Sequence, residues 1–216
     1  MRQNRRQLLA LVMGVALLIL AITLNRALTF TPFHLIGLSR EWWVGPREIA
    51  HMIGLTGFTV AAWYFISSFA SRRLIATNIA ITVAVVVGLA SSWPEDGWLY
   101  DVFGVTTFEL AVSLSPIYLG AWALFGLIAW KTPSLLRPKP ALMSSCLVLV
   151  MTTALWELYI QPFDNVYGGP PRGWIEMAQV LCDLVGILFG ALIVQRIAGW
   201  PEPQNEAVFR KPRDCI

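Results

Sequence analysis

Long apolar runs, broken by short clusters of charge, proline and glycine, set the rhythm of this chain. Six runs reach membrane-crossing length, at about 8–27, 48–70, 74–93, 107–130, 141–160 and 174–197. A helix needs about 20 mainly apolar residues to cross roughly 30 Å of hydrocarbon. The pattern predicts an all-α, polytopic integral membrane protein with six transmembrane helices. Residues 1–198 read as one transmembrane domain. Residues 199–216, with Pro201, Pro203, Pro212 and mixed charge, read as a cytoplasmic tail. The first run follows Arg2, Arg5 and Arg6, as the h-region of a signal peptide would. It is too long for one, and no small-x-small cleavage site follows cleanly, so a retained anchor is expected.

Composition strengthens this reading. Hydrophobic residues make up 56% of the chain and charged residues 13%. A soluble domain carries about 25% charged residues, so a water-soluble globule is excluded, and the apolar mass excludes intrinsic disorder. A formal charge of +3 from scattered cations gives no basis for nucleic-acid binding. Cys146, Cys182 and Cys215 have no close spacing and leave one unpaired, which indicates neither a disulfide framework nor a zinc knuckle.

The cations also set an orientation. With the N-terminus in the cytoplasm, twelve of the 16 Lys and Arg residues fall inside, and only Arg26, Arg40, Arg47 and Arg172 fall outside. Both termini are therefore expected in the cytoplasm, with a bacterial cytoplasmic membrane as the location and membrane lipids as partners. The outer stretches at 41–43, 93–98 and 161–173 are rich in Trp, Tyr, Pro and Gly, and their Trp residues read as an interfacial belt.

Polar groups inside the spans carry the candidate chemistry, because a charge at the centre of a transmembrane helix costs about 2.5–3.5 kcal/mol on insertion scales. In the last span Glu176, Gln179, Asp183, Gly186 and Gly190 are separated by 3, 4, 3 and 4 residues and share one stripe. Its outer half is polar; its inner half is small enough for another helix to approach. Glu157 and Gln161, four apart, share a face at the end of the fifth span, which Pro162 stops. Arg47 and His51, four apart, open the second span behind Pro46. Glu109 at the start of the fourth span and Arg172 before the last complete the set.

All nine lie in the outer half under this topology and are expected to line one outward-facing cavity, while the inner halves read as almost wholly apolar. That argues against a channel or through-going transporter. Glu157, Asp183 and His51 are the candidates for acid–base work. No cofactor or metal is expected: there is no Cys-x-x-Cys pair, no local His/Cys metal spacing, no Gly-x-Ser-x-Gly elbow and no lysine within a span.

These motifs resemble the VanZ-like membrane proteins. That family has a polar-x-x-x-His motif opening an early span, matched here by Arg47-Glu48-Ile49-Ala50-His51. Its Glu–Gln helix end is matched by Glu157 to Gln161, its loop arginine by Arg172, and its final Asp/Asn/Gly helix by Asp183-x-x-Gly186-x-x-x-Gly190. Gln179 stands where the family has Asp, and Asp183 where it usually has Asn. The resemblance covers about a third of the chain. It implies an envelope function of the kind associated with teicoplanin resistance, with no established biochemical activity.

Two functional classes stay open. One is an outward-facing polar pocket that binds or modifies an amphipathic envelope ligand, such as a lipid headgroup or lipid-linked sugar. Arg47 and Arg172 would hold its anionic group. The other is a non-catalytic accessory subunit of a larger membrane complex of pigment, quinone or respiratory type. It would dock through the Gly186/Gly190 stripe and Trp-rich faces.

Overall fold

Hydrocarbon offers a backbone no hydrogen-bond partners, so a spanning segment must satisfy its own N–H and C=O groups. The apolar runs accordingly form helices. A computed structural model describes residues 2–70, 75–80, 107–163 and 173–199, and side chains within these except at 2–4 and 107–118. Its helices are α1 (Arg2–Ala27), α2 (Pro46–Ser68), α3 (Thr107–Lys131), α4 (Pro138–Phe163) and α5 (Met177–Ala198). Among the described residues four helices are long and apolar enough to cross a membrane: Arg5–Ala27, Pro46–Ser68, Pro138–Phe163 and Met177–Ala198. The chain is an all-α protein compatible with integral membrane placement. The third expected span, 74–93, lies outside the described residues except for 75–80, which are helical. The tail beyond residue 199 also lies outside them.

The helix ends follow local chemistry. Pro46 and Pro138 stand at first-turn positions of α2 and α4, where their missing N–H costs nothing. Glu48 reaches back one turn, and its Oε2 accepts the Gly45 N–H at 2.6 Å. The last helix starts at Met177, three residues later than the apolar run suggests, because Glu176 is its non-helical N-cap. At the other end of α5 the Arg6 guanidinium donates to the Ala198 carbonyl at 3.2 Å. Cations are favoured at this end of a helix.

Contacts between helices fix their directions. α1 runs antiparallel to α2, with Gly14 against Gly57 and Gln7 donating to Ser67 Oγ at 2.8 Å. α2 and α5 both begin at one end of the bundle, and α4 finishes there. The tightest seam joins α2 to α5. A Cβ on Gly186 would strike the Met52 carbonyl, and one on Gly190 would lie 2.5 Å from Thr59 Cβ. The glycine stripe is thus filled by α2 of the same chain. The small size of Gly186 and Gly190, expected as a docking face for another protein, serves packing against α2 within the chain.

The two ends of the bundle differ in character. Away from the α2 and α5 starts lies an apolar core of Val60, Trp63, Tyr64, Leu136, Leu142 and Val194. Phe65 of α2 and Phe69 just after it extend the core against Trp122 and Phe125 of α3, with ring contacts of 4.8–6.0 Å that are edge-to-face except for the tilted Phe69–Phe125 pair. Gln7, Ser67, Ser68 and Ser145 are polar exceptions at this end, buried there with hydrogen bonds. Along α4 the residues Met143, Leu147, Met151, Leu155, Tyr159 and Phe163 recur every fourth position and are exposed. Such a stripe is costly in water and natural against lipid.

A short hairpin joins α1 to α2. Phe33 and His34 pair antiparallel with Val44 and Trp43, a two-residue ladder the apolar pattern does not foreshadow. Trp43 Nε1 donates to His34 Nε2 at 2.7 Å, and the Arg40 guanidinium sits 4.2 Å over the Trp174 ring. The hairpin is thereby tied to the approach to α5.

Candidate functional site

Seven of the nine expected site residues meet at the end where α2 and α5 start and α4 stops. They form two layers, one helical turn or about 5.4 Å apart, and each helix contributes to both. The upper layer holds Arg47 of α2, Gln161 of α4 and Glu176 before α5. Arg47 donates to Gln161 Oε1 at 3.3 Å and stands 3.7 Å from Glu176 Oε2. The lower layer holds His51 of α2, Glu157 of α4, and Gln179 and Asp183 of α5. Gln161 Nε2 links the layers by donating to Glu157 Oε1 at 3.2 Å. The side chain of Glu109, on α3, and the whole of Arg172 lie outside the described residues.

Local structure explains the alignment. In α4 the buried positions Thr153, Glu157 and Gln161 are spaced by four. Four residues of α-helix overshoot a full turn by about 40°, which would swing Gln161 away from Glu157. The segment Trp156–Ile160 is a π turn, in which the Gln161 N–H reaches the Trp156 carbonyl five residues back. The wider turn takes up the overshoot. Such bulges occur frequently at functional sites. Pro162 is the sequence signal that could have pointed to it, since a proline ring collides with the carbonyl four residues before it in a regular helix.

Exposure falls steeply with depth. The Arg47 and His51 side chains are 40% and 32% exposed and Glu176 is 21% exposed. Glu157 and Asp183 are each 2% exposed and Gln179 is fully buried. The cluster is open at the Arg47 layer and closed below by the seam at Gly186 and Gly190. Because α5 starts at Met177, Asp183 is six residues, about 9 Å of helix, from its start.

The lower layer is incompletely paired. Gln179 Nε2 donates to Glu157 Oε1 at 2.7 Å and stands 3.1 Å from His51 Nδ1. That same imidazole nitrogen lies 3.3 Å from Asp183 Oδ1. One ring nitrogen cannot accept from an amide and donate to a carboxylate at once. Gln179 Oε1 and Asp183 Oδ1 are buried with no hydrogen-bond partner among the described residues. One donor atom each from His51, Glu157 and Asp183 lie within 4.8 Å of one another. Three separate helices supply this set, so no local spacing in the sequence announces it. Cys146 and Cys182 are free thiols, and His34 is engaged by Trp43 away from the cluster. The chain matches no family model, no curated protein and no solved structure.

Proposed function

We propose that this is a membrane protein that receives the polar headgroup of an amphipathic envelope molecule in the Arg47–Asp183 cluster. The observation that carries this reading is the graded convergence of three helices. Half-exposed Arg47 stands at the mouth, and buried Glu157, Gln179 and Asp183 form the floor. A set of purely structural interhelical bonds would close on itself. This one leaves two buried oxygens unsatisfied and keeps a guanidinium at the opening. Among the described residues Arg47 is held by contacts of 3.3 and 3.7 Å, long for charge-assisted pairs, so an anionic ligand group can compete for it. Carboxylate and amide oxygens below are placed to receive ligand hydroxyls. Membership of the VanZ-like group and an outward-facing mouth in a bacterial cytoplasmic membrane are part of the same proposal. The shared motifs and the cation asymmetry support them.

The test is native mass spectrometry of the gently solubilised full chain. A specific lipid or lipid-linked species is expected on the wild type and lost from Glu157→Gln and Asp183→Asn at unchanged expression. Equal retention by both variants overturns the reading.

A further inference from the structure

We infer that His51, Glu157 and Asp183 form a binding site for a first-row divalent metal ion, with the Gln179 amide oxygen as a fourth donor. The inference deepens the headgroup reading, because the ion would sit on the floor of the same cluster. Its test reads metal, so either proposal can fail alone.

Three observations lead to it. The first is donor geometry. One nitrogen and two carboxylate oxygens lie within 4.8 Å of one another. Around an ion bonded at about 2.0–2.2 Å, ligand atoms stand about 3–4 Å apart. Side-chain rotation closes that difference without moving a helix. An imidazole with two carboxylates suits zinc and its first-row neighbours better than calcium, which takes oxygen ligands throughout.

The second is charge. Asp183, 2% exposed, has the His51 imidazole as its cationic neighbour among the described residues. Arg47 is a turn away, engaged with Gln161 and Glu176. A buried carboxylate is costly unless paired, and a divalent ion at this locus compensates Asp183 directly.

The third is the competition at His51. Its Nδ1 faces both the Gln179 amide nitrogen and Asp183 Oδ1, and Gln179 Oε1 has no partner. A metal ion bonded to Nδ1 satisfies Asp183 Oδ1 directly. Turning the Gln179 amide over, which exchanges two nearly isosteric atoms, exchanges its hydrogen bond to Glu157 for an oxygen aimed at the ion. One ion thus ends the competition at His51 Nδ1 and satisfies Asp183 Oδ1. A set of three or four protein donors leaves room for a further ligand, and the half-exposed edge of His51, toward Arg47, is where it would enter.

The experiment uses the full chain purified in mild detergent, stripped with dipicolinate and EDTA and desalted. It is titrated with Zn²⁺ and separately with Mn²⁺. Bound metal is measured by mass spectrometry after gel filtration, and affinity by competition with a fluorescent indicator. About one ion per chain is expected, with affinity reduced at least about tenfold in His51→Gln, Glu157→Gln and Asp183→Asn. A Cys146→Ala/Cys182→Ala variant should bind as wild type. His51→Gln, at the half-exposed edge, decides the matter where a carboxylate variant fails to accumulate. Less than about 0.1 ion per chain, unchanged affinity in the ligand variants, or loss in the cysteine variant each overturns the site. Metal bound without any lipid keeps the ion site and removes the headgroup reading; lipid bound without metal does the reverse.

Discussion

Gln179 and Asp183 sit one turn apart on the same helix face, yet they should respond oppositely to substitution. Gln179 is fully buried and supplies a hydrogen bond to Glu157 Oε1. Leucine keeps its bulk but withdraws the donor from a buried carboxylate. Such bonds to charged groups are worth about 1.5–3 kcal/mol in soluble proteins, and interhelical bonds in membranes average about 0.6 kcal/mol. Gln179→Leu should therefore destabilise the protein by about 1–3 kcal/mol, seen as a lower Tm in detergent. Asp183→Asn removes a buried charge and keeps an oxygen in place. The amide can still hydrogen-bond the His51 ring nitrogen beside it. Its stability should stay within about 1 kcal/mol of wild type while ligand and metal retention fall. A neutral Gln179→Leu beside an unfolded Asp183→Asn would reverse these roles and make Asp183 structural.

At the scale of elements, the seam between α2 and α5 holds the site together. Gly190 faces Thr59 and the Thr56 carbonyl so closely that any larger side chain must push the helices apart. Gly190→Leu should cost at least about 3 kcal/mol or abolish accumulation, whereas Gly126→Ala should be neutral or stabilising by up to about 1 kcal/mol. A Cβ at Gly126 would meet nothing within 4 Å among the described residues. Matched expression and Tm measurements on the two variants check the contrast.

The same seam marks how far the sequence could be read. Spacings of 3, 4, 3 and 4 from Glu176 to Gly190 place five residues on one stripe, because helical period is a local property. Which surface meets that stripe is not local, so Gly186 and Gly190 permit a close approach without naming the helix that makes it. The Arg47–His51 and Glu157–Gln161 pairs were legible in the same way, but their meeting depends on α2, α4 and α5 converging. The shared His51–Glu157–Asp183 locus was hidden for that reason. The π turn at Trp156–Ile160 was hidden because it is selected by the position of Glu157 against its neighbours as much as by Pro162.

For the molecule as a whole, the open question of architecture is the number of crossings, and direction narrows it. α1, α2, α4 and α5 alternate in direction along the chain. The stretch between the end of α2 and the start of α4 therefore crosses the membrane an even number of times. Six spans make that number two, and place the acidic turn at Pro94–Gly97 on the same side as the α1–α2 hairpin. Zero crossings would put the turn with Arg72 and Arg137. Single cysteines in a background lacking Cys146, Cys182 and Cys215 separate the cases. With six spans and the expected orientation, Ser39→Cys and Gly97→Cys are labelled in intact cells by a membrane-impermeant maleimide, and Arg137→Cys only after lysis. Labelling of Ser39→Cys alone would reduce the bundle to the four helices already long enough to span. Protection of Ser39→Cys with labelling of Arg137→Cys would invert the molecule. The Arg47 mouth would then open to the cytoplasm, because the hairpin bearing Ser39 and the start of α5 lie at the same end. The positive-inside asymmetry makes the outward mouth the expected result, since twelve of the 16 cations would otherwise have to be translocated.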